Sequence, residues 1–151
     1  MLKLPLAIFG IDRMIKFHID KELELDEPKE ICGGKVILRK YYNKGAAFGV
    51  CASSPRFLAA VQGTLLASAA VCYGLLWKQG GKNGLKVSLG MLLGGGLGNF
   101  YDRIAYQYVI DYASFPVPFP RLRRLVFNVA DFFIFAGAIL TIIFGSADKS
   151  I

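Results

Sequence analysis

Histidine is nearly absent from this 151-residue chain: His18 is the only one. A Ser-His-Asp triad or a histidine-ligated metal would have to be built around that single residue, which stands beside a charged stretch and reads as interfacial. Cysteine is almost as scarce. Cys32, Cys51 and Cys72 show neither CxxC nor metal-type spacing. Cys72 lies in an apolar run and reads as a small core residue. Cys32 and Cys51 flank a loop, and nothing in their spacing compels them to pair. No GxGxxG follows a strand, so the glycine-rich stretch does not read as a dinucleotide site. No small-residue cleavage site follows the first apolar segment, which Asp12, Arg13 and Lys16 interrupt, so it does not read as a cleavable leader. Internal repeats and low-complexity tails are missing too.

What the chain has in abundance is hydrocarbon. Its 54% hydrophobic residues and mean hydropathy of +0.45 exceed what an ordinary soluble domain carries. The length suits one domain, 1–151, and the apolar residues are blocked into long runs. Four segments approach the roughly 20 residues that cross a bilayer: 2–19, 57–77, 85–104 and 125–144. The expected fold is an all-α integral membrane protein with four transmembrane helices and a small extracytoplasmic β-sheet between helices 1 and 2. That sheet is read from 20–55, where an acidic run (Glu22, Glu24, Asp26, Glu27, Glu30) precedes Gly33-Gly34 and the strand-like stretch 35–42. Asn43-Lys44-Gly45 signals a turn. Pro116, Pro118 and Pro120 forbid a continuous helix across 105–124 and leave it as an interfacial loop.

The formal charge of +7 would suggest nucleic acid in a soluble protein. Here the bases gather at the ends of apolar runs (Lys78, Lys82, Lys86; Arg121, Arg123, Arg124), where they anchor to headgroups. Membrane lipid is therefore the expected partner, and nucleic acid is not. Loop charge does not decide the orientation, because the lysine cluster and the arginine cluster argue for opposite sides; the balance leans towards both termini inside.

Gly90, Gly94 and Gly98 share one face of the third segment, a small-xxx-small pattern that lets another helix come close. Asn99, Asp102 and Arg103 follow on one face at its end, at spacings that also suit a simple helix-end ion pair. Asn128 and Asp131 are one turn apart at the opening of the fourth segment, where an acid meets the helix dipole favourably. Asp12 and Lys16, at i and i+4, can pair inside the first. Asp111 has apolar neighbours, Val109, Ile110 and Tyr112. A carboxylate beside hydrocarbon persists only if paired, solvated or working. Asp111 and Asp131 emerge on one side of the membrane and suggest a paired-acid site in which one carboxyl holds a proton. A membrane protein that binds without catalysing and a proton-relay transporter are the rival readings. The first gains nothing from two acids, and the second would want them near the midplane.

Four motifs in order resemble the lipoprotein signal peptidases (signal peptidase II). They are Asp12-x-x-x-Lys16; Asn43-Lys44-Gly45-Ala46-Ala47-Phe48-Gly49; 94–103 followed by Val109-Ile110-Asp111-Tyr112; and Phe127-Asn128-Val129-Ala130-Asp131. The resemblance covers almost the whole chain. It implies a monomeric enzyme of the bacterial cytoplasmic membrane, termini cytoplasmic, that removes the signal peptide of a prolipoprotein just before the diacylglyceryl-modified cysteine. It implies Asp111 and Asp131 as the catalytic aspartyl pair, and no metal or cofactor. Asp12, Lys16, Asn43, Asn99, Asp102, Arg103 and Asn128 would orient that pair and the substrate. Three features differ from the family pattern: Arg13 and Ile15 in the first motif, Phe132 after the second acid, and the basic run 121–124.

Overall fold

Long apolar runs punctuated by charge form helices, and the β-branched stretches between them form strands. The computed structural model describes residues 3–46 and 50–147. Its elements are α1 (Lys3–Glu22), β1 (Lys29–Ile31), β2 (Val36–Asn43), α2 (Pro55–Trp77), α3 (Asn83–Tyr106), β3 (Val109–Ser114), α4 (Pro120–Arg123) and α5 (Val129–Ala147). Ala47, Phe48 and Gly49, the end of the second motif, lie outside the described residues.

The glycines make α3 the central helix. A Cβ on Gly90, Gly94 or Gly98 would meet Leu4, Ile8 and Asp12 of α1 in turn. One step round the helix, Gly95 lies against Ala130 and Ile134 of α5, and Gly96 against Leu66 of α2. Gly137 of α5 lies equally close to Ser88 and Leu92. Such approach supplies the van der Waals contact that drives association where no water is left to expel. A Cβ on Gly95 would stand 2.5 Å from the Ala130 carbonyl oxygen, backbone that cannot rotate away. Gly95→Ala should therefore lower stability by about 1–3 kcal/mol despite alanine's better helix propensity. Gly10→Ala, with nothing within 4 Å of the new methyl, should match or exceed the parent. Thermal unfolding in detergent compares the two.

The sheet is antiparallel in the order β1-β2-β3. Gly33 and Gly34, at φ of 65° and 80°, turn β1 into β2 as the sequence suggested. The third strand corrects the expectation that the sheet lies wholly between the first two helices. Gln107 caps α3 in the left-handed region, its N–H donating to the Arg103 carbonyl, and sends the chain back along β2. The β-branched and aromatic run that follows then pairs as β3. The last helix also starts later than expected, at Val129. Phe127 instead exchanges backbone hydrogen bonds with Ala113 on the other edge of β3, at 2.7 and 2.8 Å.

Among the described residues α2 and α5 are long and apolar enough to cross a membrane. Their outward side chains, among them Leu65, Leu75, Phe135, Ile139 and Ile142, are exposed. A continuous greasy surface of this kind fits lipid. Cys72 lies exposed on α2 and is no core residue, because in this setting the apolar face points outwards. All three cysteines are free thiols, and His18 is exposed. Asp12, Arg13 and Lys16 keep α1 below the apolarity of α2 and α5, and glycine dilutes α3.

Candidate active site

Asp111 owes its position to strand pairing on both sides. It stands opposite Tyr41 on β2, and Asn43 is the next β2 residue on the same face. Asn43 Nδ2 donates to Asp111 Oδ2 at 2.9 Å, while Asn43 Oδ1 accepts the Gly45 N–H at 3.0 Å, which fixes the amide. On the other edge, the Phe127 bridge delivers Asn128, whose Nδ2 donates to Asp111 Oδ1 at 2.6 Å.

Asn128 is also the N-cap of α5. Its Oδ1 accepts the Asp131 N–H and its own N–H donates to Asp131 Oδ2, each at 3.0 Å. This is a reciprocal capping box, so the helix-start reading of the pair holds as local chemistry. The same bonds leave Asp131 Oδ1 to accept from Asn99 Nδ2 at 2.8 Å. Asn128 Nδ2 also donates to Asn99 Oδ1 at 3.0 Å. Two asparagines therefore bridge the two carboxylates.

Behind them lies a buried ion cluster. Lys16 Nζ donates to Asn99 Oδ1 at 2.8 Å and sits 2.9 Å from both Asp12 Oδ2 and Asp102 Oδ2. Arg13 pairs with Asp102 Oδ1, and its guanidinium stacks 4.5 Å from the Tyr101 ring centroid. Two cations thus meet two carboxylates, the balance that buried charge requires. The acids also tie elements together: Asp12 Oδ1 accepts the Ala130 N–H and Asp102 Oδ2 the Ile110 N–H, both at 3.3 Å. Gly98 leaves the room that Asp12 occupies.

The carboxyls open onto a cleft of about 550 Å³. Asn43, Asn99, Arg103, Asp111 and Asp131 line it, whereas Asp12, Lys16, Asp102 and Asn128 stand behind the wall. Arg103 Nη2 donates to the Gly45 carbonyl at 2.8 Å and holds the β2 turn over the cleft. Burial first, and the neighbouring Asp131 charge second, push the Asp111 carboxyl up to about 7, against the hydrogen bonds from Asn43 and Asn128 and the charge of Lys16.

A family model described as signal peptidase (SPase) II matches residues 4–146. This chain belongs to the signal peptidase II family. Similar proteins include the lipoprotein signal peptidase of Clostridium tetani, 31% identical over 145 residues, 95% of this chain and 91% of that protein. Those of Caldicellulosiruptor bescii and Bacillus pumilus are 33% and 34% identical, each over 83% of its own length and over 89% and 88% of this chain. In fold the chain is similar to a bacterial membrane enzyme solved by the in meso method at 2.3 Å resolution, with TM-score 0.82, 22% identity and coverage of 97% of this chain and 87% of that one. A second such structure, at 1.9 Å resolution, gives TM-score 0.78 at 23% identity, covering 93% of this chain and 88% of that one. With its apolar outer helices, this signal peptidase II family member is a membrane protein.

The structure brings together all nine residues that the sequence singled out. It adds others that were not among those nine. Arg13 read as an interruption of an apolar segment and a departure from the family pattern, yet it is the second cation of the buried cluster. Tyr112 accepts the Val129 N–H on its hydroxyl at 3.0 Å, steadying the start of α5. In the sequence it read as an apolar neighbour of Asp111 within the third motif. Arg121 and Arg124 line the cleft although they read as headgroup anchors.

Proposed function

We propose that this chain is a membrane aspartyl endopeptidase that cuts a prolipoprotein just before its diacylglyceryl-modified cysteine. The observation that carries the reading is the Asn99–Asn128 bridge joining Asp111 and Asp131 on the wall of one cleft. Family membership and the lipoprotein signal peptidase relatives support the substrate class. Asp111 and Asp131 are the catalytic pair and share one proton. The ionised carboxyl takes a proton from water as its oxygen attacks the scissile carbonyl, and the protonated carboxyl gives its proton to the carbonyl oxygen. The tetrahedral diol then collapses: the C–N bond breaks, the departing nitrogen takes a proton from the dyad, and the diol returns one. The products are a signal peptide ending in a carboxyl and a lipid-modified cysteine with a free amine.

Asn43, Asn99, Arg103 and Asn128 orient the dyad and the substrate backbone, and the Asp12–Lys16–Asp102 cluster holds Asn99 in place. Four helices, α1, α2, α3 and α5, cross the bacterial cytoplasmic membrane with both termini inside, and the protein works as a monomer. The exposed Leu6, Met14 and Phe17 of α1 suit lipid, while Arg13 and Lys16 reach Asp102 of α3 and Asp12 packs against Gly98. Incubating the purified protein with a lipidated prolipoprotein tests the reading by gel mobility. The lipidated form should shift to the mature size and its unlipidated twin should not; an unshifted lipidated substrate contradicts the proposal.

The titration of Asp111 gives a second expected result. As pH rises through about 7, the dyad loses its shared proton, so turnover should fall on the alkaline side. The Asn43 hydrogen bond favours the ionised carboxyl, so Asn43→Ala should move that limb to higher pH. Initial rates between pH 5 and 9 for both proteins check the direction.

A further inference from the structure

Arg121 and Arg124 are one helical turn apart and both line the cleft that holds the dyad. Both are exposed, and among the described residues neither side chain has a hydrogen-bond or ion-pair partner. Among the described residues the only carboxylates on the same wall are Asp111 and Asp131, already bound by amide donors. Arg103, the third cation there, is engaged with the Gly45 carbonyl. The cleft therefore carries two uncommitted guanidinium groups, the side chain best suited to gripping a carboxylate with two parallel N–H donors.

We propose that Arg121 and Arg124 select substrates carrying an acidic side chain in the first residues after the modified cysteine. This rests on the peptidase reading above. A signal peptide is apolar and suits the helices, so the mature chain leaves on the side of the cleft lined by the sheet and by α4 and the residue after it. Arginines on the cleft wall meet that departing segment. Arg123, between them, does not line the cleft and is left to the membrane surface with the exposed Phe119 and Leu122. Exposed ion pairs are weak singly and screened by salt, so a two-arginine preference amounts to about threefold to tenfold and shrinks at high ionic strength.

The test uses the full-length protein in phosphatidylcholine nanodiscs, where no anionic headgroup competes. Lipidated prolipoproteins differing only by Asp or Asn at the second and third residues after the cysteine are compared by kcat/KM. The expected Asp-to-Asn ratio is about threefold to tenfold at low salt. It should fall to about one in Arg121→Gln/Arg124→Gln, persist in Arg121→Lys/Arg124→Lys at reduced size, and survive Arg123→Gln. A wild-type ratio near one, a ratio unchanged in the double glutamine variant, or a ratio that appears only with phosphatidylglycerol present would each overturn the proposal. Cleavage of neither substrate by the wild-type protein would instead count against the peptidase reading itself.

Discussion

Asp111→Asn and Asp131→Asn should each slow cleavage of a lipidated prolipoprotein by at least about 10²–10⁴-fold, the range that one positioned acid or base contributes. An amide keeps the size of the carboxyl but cannot carry a proton between water, carbonyl and leaving nitrogen. Because the two acids act as a unit, the double variant should be little worse than either single one. The substitutions also leave most of the scaffold in place. Asp111 is held by β2 on one edge and by the Phe127 bridge on the other, through backbone bonds that survive. At 131 the backbone N–H still reaches Asn128 Oδ1. Unchanged helicity and detergent unfolding temperature, alongside lost turnover, separate chemistry from misfolding. Retained turnover in either folded variant would remove that carboxyl from the mechanism.

The largest stability effect is expected at Lys16. Its ammonium is fully buried and serves Asp12, Asp102 and Asn99 together. Lys16→Met fills similar volume but leaves Arg13 alone to balance two buried carboxylates. Breaking one side of a buried ion cluster costs about 3–5 kcal/mol, a fall in unfolding temperature on the order of 10 °C for a chain of this size. Charge balance predicts the rescue: adding Asp12→Asn should recover part of the loss, because the remaining Arg13–Asp102 pair is neutral. A merely steric role for Lys16 would show no such recovery. Activity should also fall in Lys16→Met, since Asn99 loses the donor that fixes its amide and hence its bond to Asp131.

Much of this was legible in the sequence, for physical reasons that differ by element. The face of Gly90, Gly94 and Gly98 has a period of four and a clear purpose, so α1 was found lying against it. Asp12 and Lys16 pair within one helix, where spacing alone fixes proximity. Strand β3 was not foreseen, because its partner β2 is more than sixty residues away and a short apolar run beside a helix end gives no period of its own. The late start of α5 has the same origin: Phe127 is apolar enough for a helix, and only the tertiary bridge to Ala113 claims its backbone. Arg13 shows the limit most plainly. Its partner Asp102 lies on another helix, and no local rule links the two. The site residues were recognisable one by one; the Asn99–Asn128 bridge that joins them emerges only when α3, β3 and α5 meet.

A single-turnover digestion in H₂¹⁸O, read by mass spectrometry, tests the water-attacking carboxylate pair most directly. Direct attack by water should place one ¹⁸O in the new C-terminal carboxyl of the signal peptide. The mature chain should begin at the lipid-modified cysteine, and the enzyme peptides containing Asp111 and Asp131 should stay unlabelled. Label in either aspartate would mean a covalent acyl intermediate, and a cut at any other bond would mean a different substrate register; either result contradicts the mechanism.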